Sequence, residues 1–290
     1  MAVKLVLGGG SHREEPPGYP PENSTRPQTQ VAGPHPPNWG DENRCFIKED
    51  PIAAILSWDE LGMLQEAPLS DRISPEPSFS ERVALLLARS DCSLATSAEQ
   101  REAIIRLRYE AGMRERAISG RGPLTFLDRY DETGNGYLFG LYVDDELASS
   151  IRVHIASKEH NQFPSLEVFA DILQPKLDAD KIIIDSTRFV ADEYLAQLNR
   201  ELPYVTFRVC MLAAQHFNAD YVIVAASAQH QEFYRRAFNY LPVSQPRPVA
   251  YLAAPVRLMM LNYSTAVDEL YRRYPFLRST EAERCKLFGP

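Results

Sequence analysis

The chain has 290 residues, 44% hydrophobic and 24% charged, enough apolar material for one large core or two small ones. A net charge of −8 argues against general nucleic-acid binding, and the scattered Cys45, Cys92, Cys210 and Cys285 suggest neither a disulfide framework nor a metal site. No apolar run is long enough for a transmembrane segment and the start lacks the apolar region of a signal peptide, so a cytoplasmic protein is expected.

Residues 1–45 are rich in proline, glycine, asparagine and charge, as in Pro16-Pro17-Gly18-Tyr19-Pro20-Pro21, and read as a disordered tail. Residues 46–91 hold two apolar-periodic pieces, Ile52 to Leu64 and Glu81 to Ala88, read as short helices that dock on a main domain of residues 92–290. In that domain, Ser97 to Arg116 reads as a helix with Ile104, Ile105, Leu107 and Tyr109 inward. Thr96 and Glu99 have the spacing of a capping box at its start, and Gly120-Arg121-Gly122-Pro123 stops it.

Tyr137 to Val143 and Leu147 to Ile155 read as a hairpin joined by Asp144-Asp145-Glu146. Ile182 to Val190 is a third strand and Pro203 to Phe217 an apolar helix. Tyr221 to Ala226 is a buried strand, followed by a helix from Gln229 to Asn239. Val249 to Leu261 holds one long strand or two shorter ones, and Thr265 to Arg273 is a short helix. This order predicts an α/β (α+β) fold: a mixed sheet flanked by helices.

The third strand carries chemistry. Burying Asp185, Thr187 and Arg188 beside Ile182, Ile183 and Ile184 is costly unless the charges are paired or used. A regular strand puts Asp185 and Thr187 on one face and Arg188 on the other; a bulge would change that. A structural ion pair and a functional site both fit.

Several segments occur together in order: Leu107-Arg108-Tyr109, Asp128-Arg129-Tyr130-Asp131, Ser149-Ser150-Ile151-Arg152-Val153 and Asp185-Ser186-Thr187-Arg188-Phe189-Val190. The set resembles the autoinducer-synthase branch of the GNAT-like acyltransferases. From about Cys92 to Leu261 it resembles the FeeM-type N-acyl amino acid synthases more closely than the acyl-homoserine-lactone synthases. Pro164-Ser165-Leu166-Glu167-Val168-Phe169, Asn218-Ala219-Asp220-Tyr221-Val222 and His230-Gln231-Glu232-Phe233-Tyr234-Arg235-Arg236 add to the match. The resemblance implies a GNAT-like, mostly antiparallel sheet. It implies transfer of a fatty acyl group from acyl carrier protein to the α-amine of an amino acid, with acyl-phosphopantetheine as donor and no bound cofactor.

The same resemblance gives residues their expected roles. Asp185 falls at the acidic position and would take the amine's proton, directly or through water; the acyl-homoserine-lactone synthases have Glu there. Thr187 falls at the hydroxyl position. Tyr234 would protonate the leaving thiolate or serve as a core aromatic. Arg108, Arg152 and Arg188 would form a network with Asp128 and Asp131 or hold the substrate carboxylate. His230, near the start of its helix, is a substrate-site residue or base, or else a packing or capping residue. Phe207, Met211 and Val224 would line an acyl slot between splayed strands, or fill the core.

Ordinary GNAT enzymes cradle the coenzyme A pyrophosphate with a glycine-containing loop after this strand. Here Ala191-Asp192-Glu193-Tyr194-Leu195-Ala196 contains no glycine, which favours a carrier-protein donor. Arg101, Arg106, Arg108, Arg114, Arg116, Arg121, Arg235 and Arg236 would form a docking face for an acidic carrier, or a mixed solvated face with the interleaved Glu102, Glu110 and Glu115. The alternative functions are an acyl-homoserine-lactone synthase using S-adenosylmethionine and a non-catalytic acyl or carrier-protein sensor.

Overall fold

A computed structural model describes residues 76–115, 127–249 and 252–290. The expected tail, the piece from Ile52 to Leu64 and the helix stop at Gly120 to Pro123 lie outside the described residues. Helix α1 (Phe79–Ala88) starts on a capping box in which Ser78 and Glu81 each accept the other's backbone N–H. It buries Val83 and Leu86 against Leu202 and Val205. It then runs into strand β1 (Ser90–Leu94), so the boundary expected at residue 92 falls inside a strand.

Helix α2 (Ala98–Arg114) is capped by Ser97 and Gln100, one residue beyond the expected pair, because the backbone is still extended at Ser97. Its buried stripe is Ile104, Leu107, Arg108 and Ala111 at helical spacing. Ile105 and Tyr109, expected inward, are half-buried at its edges. Strands β2 (Gly136–Val143) and β3 (Glu146–Ala156) form the expected hairpin. Its turn is only Asp144-Asp145, with φ of 49° and 68°, the left-handed pair of a type I′ turn that asparagine and aspartate tolerate.

Helix α3 (Pro164–Asp178) follows, with Pro164 in its first turn, where a missing N–H is harmless. Then come β4 (Ile183–Ala191), α4 (Glu193–Leu198), α5 (Leu202–His216), β5 (Tyr221–Ser227) and α6 (Ala228–Phe238). The chain ends with β6 (Leu241–Pro242), β7 (Val256–Asn262), α7 (Tyr263–Arg273) and α8 (Glu281–Phe288). The sheet order is β1-β2-β3-β4-β5-β7-β6. Every neighbouring pair is antiparallel except β4 and β5, which gives the mixed, mostly antiparallel sheet expected.

Side-chain alternation divides the central strands into two faces. On one, Ile151, Val153, Ile184, Val222 and Val224 pack against Phe207, Met211 and Leu212 of α5. On the other, Ile183, Ile223 and Leu258 pack under α3 against Phe169 and Leu173, while Leu138 packs under α2 against Ile104. Between these two apolar patches the same face carries Arg152, His154, Asp185 and Thr187.

Candidate active site

Asp128 and Asp131 are three residues apart for a local reason. They cap a single 3-10 turn, Arg129–Glu132, reciprocally: Asp128 accepts the Tyr130 N–H at 2.9 Å, and Asp131 accepts the Asp128 N–H at 3.0 Å. Each carboxylate keeps capacity for other donors. Arg152 takes Asp128 as a fork, at 2.6 and 3.2 Å, and lies 3.0 Å from Asp131. Arg108 donates to Asp131 at 2.8 Å, and Arg188 to Asp128 at 2.8 Å. Arg108 and Arg152 are each 1% exposed.

The charges hold one another in place. Burial works against both carboxylates, yet Arg152 and Arg188 keep Asp128, and Arg108 and Arg152 keep Asp131, below the usual carboxylate range. Burial outweighs Asp131 at Arg108 and brings its pKa down to about 10. These five residues form an intraprotein network in the structure. Arg108 is therefore removed from the expected docking face. Arg106 pairs with Glu102, and Arg235 and Arg236 pair with Glu232. Arg114 donates to the Ala191 carbonyl at 3.2 Å, beside the end of β4. Arg116 and Arg121 lie outside the described residues.

β4 is not regular. Thr187 lies opposite Arg152 and Val190 opposite Ser150, so β4 has one residue more than β3 between these pairs. Arg188 sits in this bulge at φ 54°, a left-handed conformation that costs an L-residue roughly 1–2 kcal/mol. The bulge brings Arg188 to Asp128, the carboxylate that Arg152 also holds, rather than to the opposite face. Arg152 Nε–H donates to Thr187 Oγ1 at 3.1 Å, which leaves the threonine proton available for another acceptor. Beside the bulge, β4 and β5 pair only from Ile183/Tyr221 to Ser186/Val224; beyond that point their pairing ends.

Asp185 is fully buried and forms no ion pair among the described residues. Its two oxygens accept from Ser165 in the first turn of α3, the hydroxyl at 2.8 Å and the N–H at 3.1 Å. Burial lifts its pKa to about 6, partly offset by those two bonds. His154 lies directly opposite Asp185 in the ladder and was not singled out from the sequence. Its Nε2 is 3.1 Å from the Tyr130 carbonyl, which can only accept, so Nε2 carries the proton. Burial lowers its pKa to about 4, keeping it neutral. The pattern that could have found it is Arg152-x-His154, two polar residues in step on an otherwise apolar strand.

The remaining expected residues lie elsewhere. Tyr234 belongs to the α5-side core with its ring 5.6 Å from that of Phe207, and burial raises its pKa. His230 is exposed in the first turn of α6, 3.9 Å from Glu115. Phe207 and Met211 are fully buried in the core, and Val224 stands at the last β4–β5 pair.

A family model described as N-acyl amino acid synthase FeeM matches residues 103–262, more than half of the chain. The solved structure of FeeM, an N-acyl amino acid synthase from uncultured soil microbes, is similar at a TM-score of 0.55 and 16% identity, over 64% of this chain and 96% of that one. Two CoA-dependent acyl-homoserine lactone synthases are more distant. MesI has a TM-score of 0.45 and 13% identity, over 66% of this chain and 97% of its own. BjaI has a TM-score of 0.41 and 16% identity, over 61% and 82%. No curated protein matches. No helix among the described residues is long and apolar enough to cross a membrane. The chain belongs to the FeeM family of N-acyl amino acid synthases, acyltransferases on a GNAT-like fold.

Proposed function

We propose that this acyltransferase moves a fatty acyl group from the phosphopantetheine thioester of acyl carrier protein to the α-amine of an amino acid. The observation that carries this reading is the fork where β4 leaves β5, flanked by the strained Arg188 bulge and the buried arginine–aspartate network. A thioester arm entering the fork meets backbone N–H groups of β4 beyond Arg188, the kind of fixed donor that stabilises a tetrahedral oxyanion. The acyl chain then runs past Val224 toward Phe207 and Met211, parting side chains that now fill that space.

The amine attacks the thioester carbon and forms the C–N bond, and collapse of the intermediate expels the thiolate. An α-ammonium has a pKa of about 8 and must first lose a proton. Asp185 is the acceptor, reached through Ser165: the amine proton passes to Ser165 Oγ as the serine proton passes to Asp185. A carboxyl with a pKa near 6 is well matched to a base at neutral pH. The Thr187 hydroxyl, oriented by Arg152, donates to the thioester oxygen or accepts from the amine.

The start of α4 favours the carrier protein over coenzyme A. Asp192 caps that helix, accepting the Leu195 N–H at 2.8 Å, and Glu193 stands in its first turn. A pyrophosphate there would meet two carboxylates where a phosphate site needs free N–H groups. The test incubates the full chain with acyl-carrier thioesters, or acyl-CoA, and the common amino acids, and reads products by mass spectrometry. Amide formation with a far higher kcat/KM for the carrier thioester is expected. No amide with any amino acid, or equal use of acyl-CoA, would overturn the reading.

A further inference from the structure

A cleft of about 400 Å³ opens where the 3-10 turn meets the start of α3. It lies beside the network, since Arg129 and Tyr130 belong to the turn that carries Asp128 and Asp131. Its floor is apolar, formed by the buried Phe163 and the partly buried Leu166. Its rim carries one cation and one anion, Arg129 and Glu167, 3.1 Å apart. Tyr130 stands between them: Arg129 donates to its hydroxyl oxygen, which in turn donates to Glu167, both at 2.8 Å. The Arg129 guanidinium also lies 4.9 Å over the Tyr130 ring.

This rim is held from behind. His154 donates to the Tyr130 carbonyl, fixing the backbone that carries the tyrosine, and its buried Nδ1 has no hydrogen-bond partner among the described residues. Neighbours of the cleft residues along the chain belong to the network and hold the reacting strand. Arg129 follows the network residue Asp128, and Ser165, which holds Asp185, lies between Phe163 and Leu166. Opposite charges one ion-pair apart over an apolar floor are the complement of a zwitterion with an apolar side chain.

We propose that this cleft binds the acceptor amino acid, with its carboxylate on Arg129, its ammonium on Glu167 and an aliphatic or aromatic side chain on Phe163 and Leu166. The inference rests on the reading of the chain as an amino-acid N-acyltransferase. The Arg129–Glu167 pair opens, and each partner takes the opposite charge of the ligand. Both are largely exposed, so the exchange does not strand a buried charge. Charged or small polar amino acids gain nothing from the floor and are poor acceptors.

Two measurements test this on the full chain. In steady-state acylation of phenylalanine or leucine, Arg129→Ala and Glu167→Gln raise the KM for the amino acid roughly 10- to 100-fold, the size of a lost charge-assisted hydrogen bond. The KM for the acyl carrier stays within about twofold. An amino-acid KM unchanged in both variants overturns the cleft and leaves the proposed function standing. Saturation-transfer NMR of free phenylalanine, with no donor present, reads the cleft by itself. Signal with the wild type that both variants lose supports it, even if no acyl product forms. No signal with the wild type, or equal signal in the variants, overturns it.

Discussion

Along β3, Ile151 and Val153 point into the core beneath α5, while Arg152 and His154, one residue out of step, face α2 and α3. Along β4, Ile184 joins the α5 side, while Asp185 and Thr187 join the other. One pair of strands therefore builds a frame on one face and a site on the other. The frame gains stability in proportion to apolar area and tolerates conservative swaps. The site gains little net stability from its buried charges, yet its arginine–aspartate network cannot lose one of them without stranding another.

The largest difference is expected from Arg152→Met. It leaves Asp128 and Asp131 short of a shared partner, and loss of one member of a buried network costs about 3–5 kcal/mol. Urea denaturation checks this; a variant as stable as the wild type would show that the network is solvated.

A second contrast lies within the site face, between groups that titrate in opposite senses. His154 has its pKa lowered from 6.5 to about 4, so its contribution to stability is complete above 6.5 and is lost as pH falls through about 4. Asp185 has its pKa raised from 3.8 to about 6, so its contribution is complete below 3.8 and is lost as pH rises through about 6. Each effect is worth about 3 kcal/mol at its limit, and the two oppose each other between these values. Asp185→Asn should therefore lose stability more steeply than the wild type on acidification from pH 6 to 4, and His154→Gln less steeply. Thermal melts across that range decide; three parallel curves would contradict the burial of both groups.

The frame and the site also differ in how readily they could be read from sequence. Capping and spacing located α2 to within two residues, and the aspartate pair marked the hairpin. Strand β1 was missed because Ser90-Asp91-Cys92-Ser93 has no β-branched or aromatic residue. Helix α3 was not expected; it carries Pro164 in its first turn, where a proline is at home, and Pro175 near its end. In the site, the family pattern brought out Arg108, Asp128, Asp131, Arg152 and Arg188. It did not show how they pair, since Arg108 meets Asp131 from 23 residues away and its position on a charged helix reads as solvated. Ser165 as the partner of Asp185 depends on where α3 docks, which no local spacing encodes.

The smallest effect is expected on the frame. Ile151→Val removes one methylene under α5 and should cost about 0.5–1.5 kcal/mol. Its kcat should match the wild type's. A fall in kcat as large as that caused by a change on the site face would mean that the two faces are not separable.

The division of labour is tested most directly by the kinetics of Asp185→Asn, measured with carrier thioester and amino acid across pH. The substitution keeps the shape and removes the base. The account predicts that kcat falls by about 10²-fold or more, the size of a lost general base. The residual rate should climb with pH as free amine accumulates, and the melting temperature at pH 7.5 should not fall, because a buried charge has been removed. A variant that melts early yet turns over normally when folded would contradict the account and make Asp185 an anchor for α3.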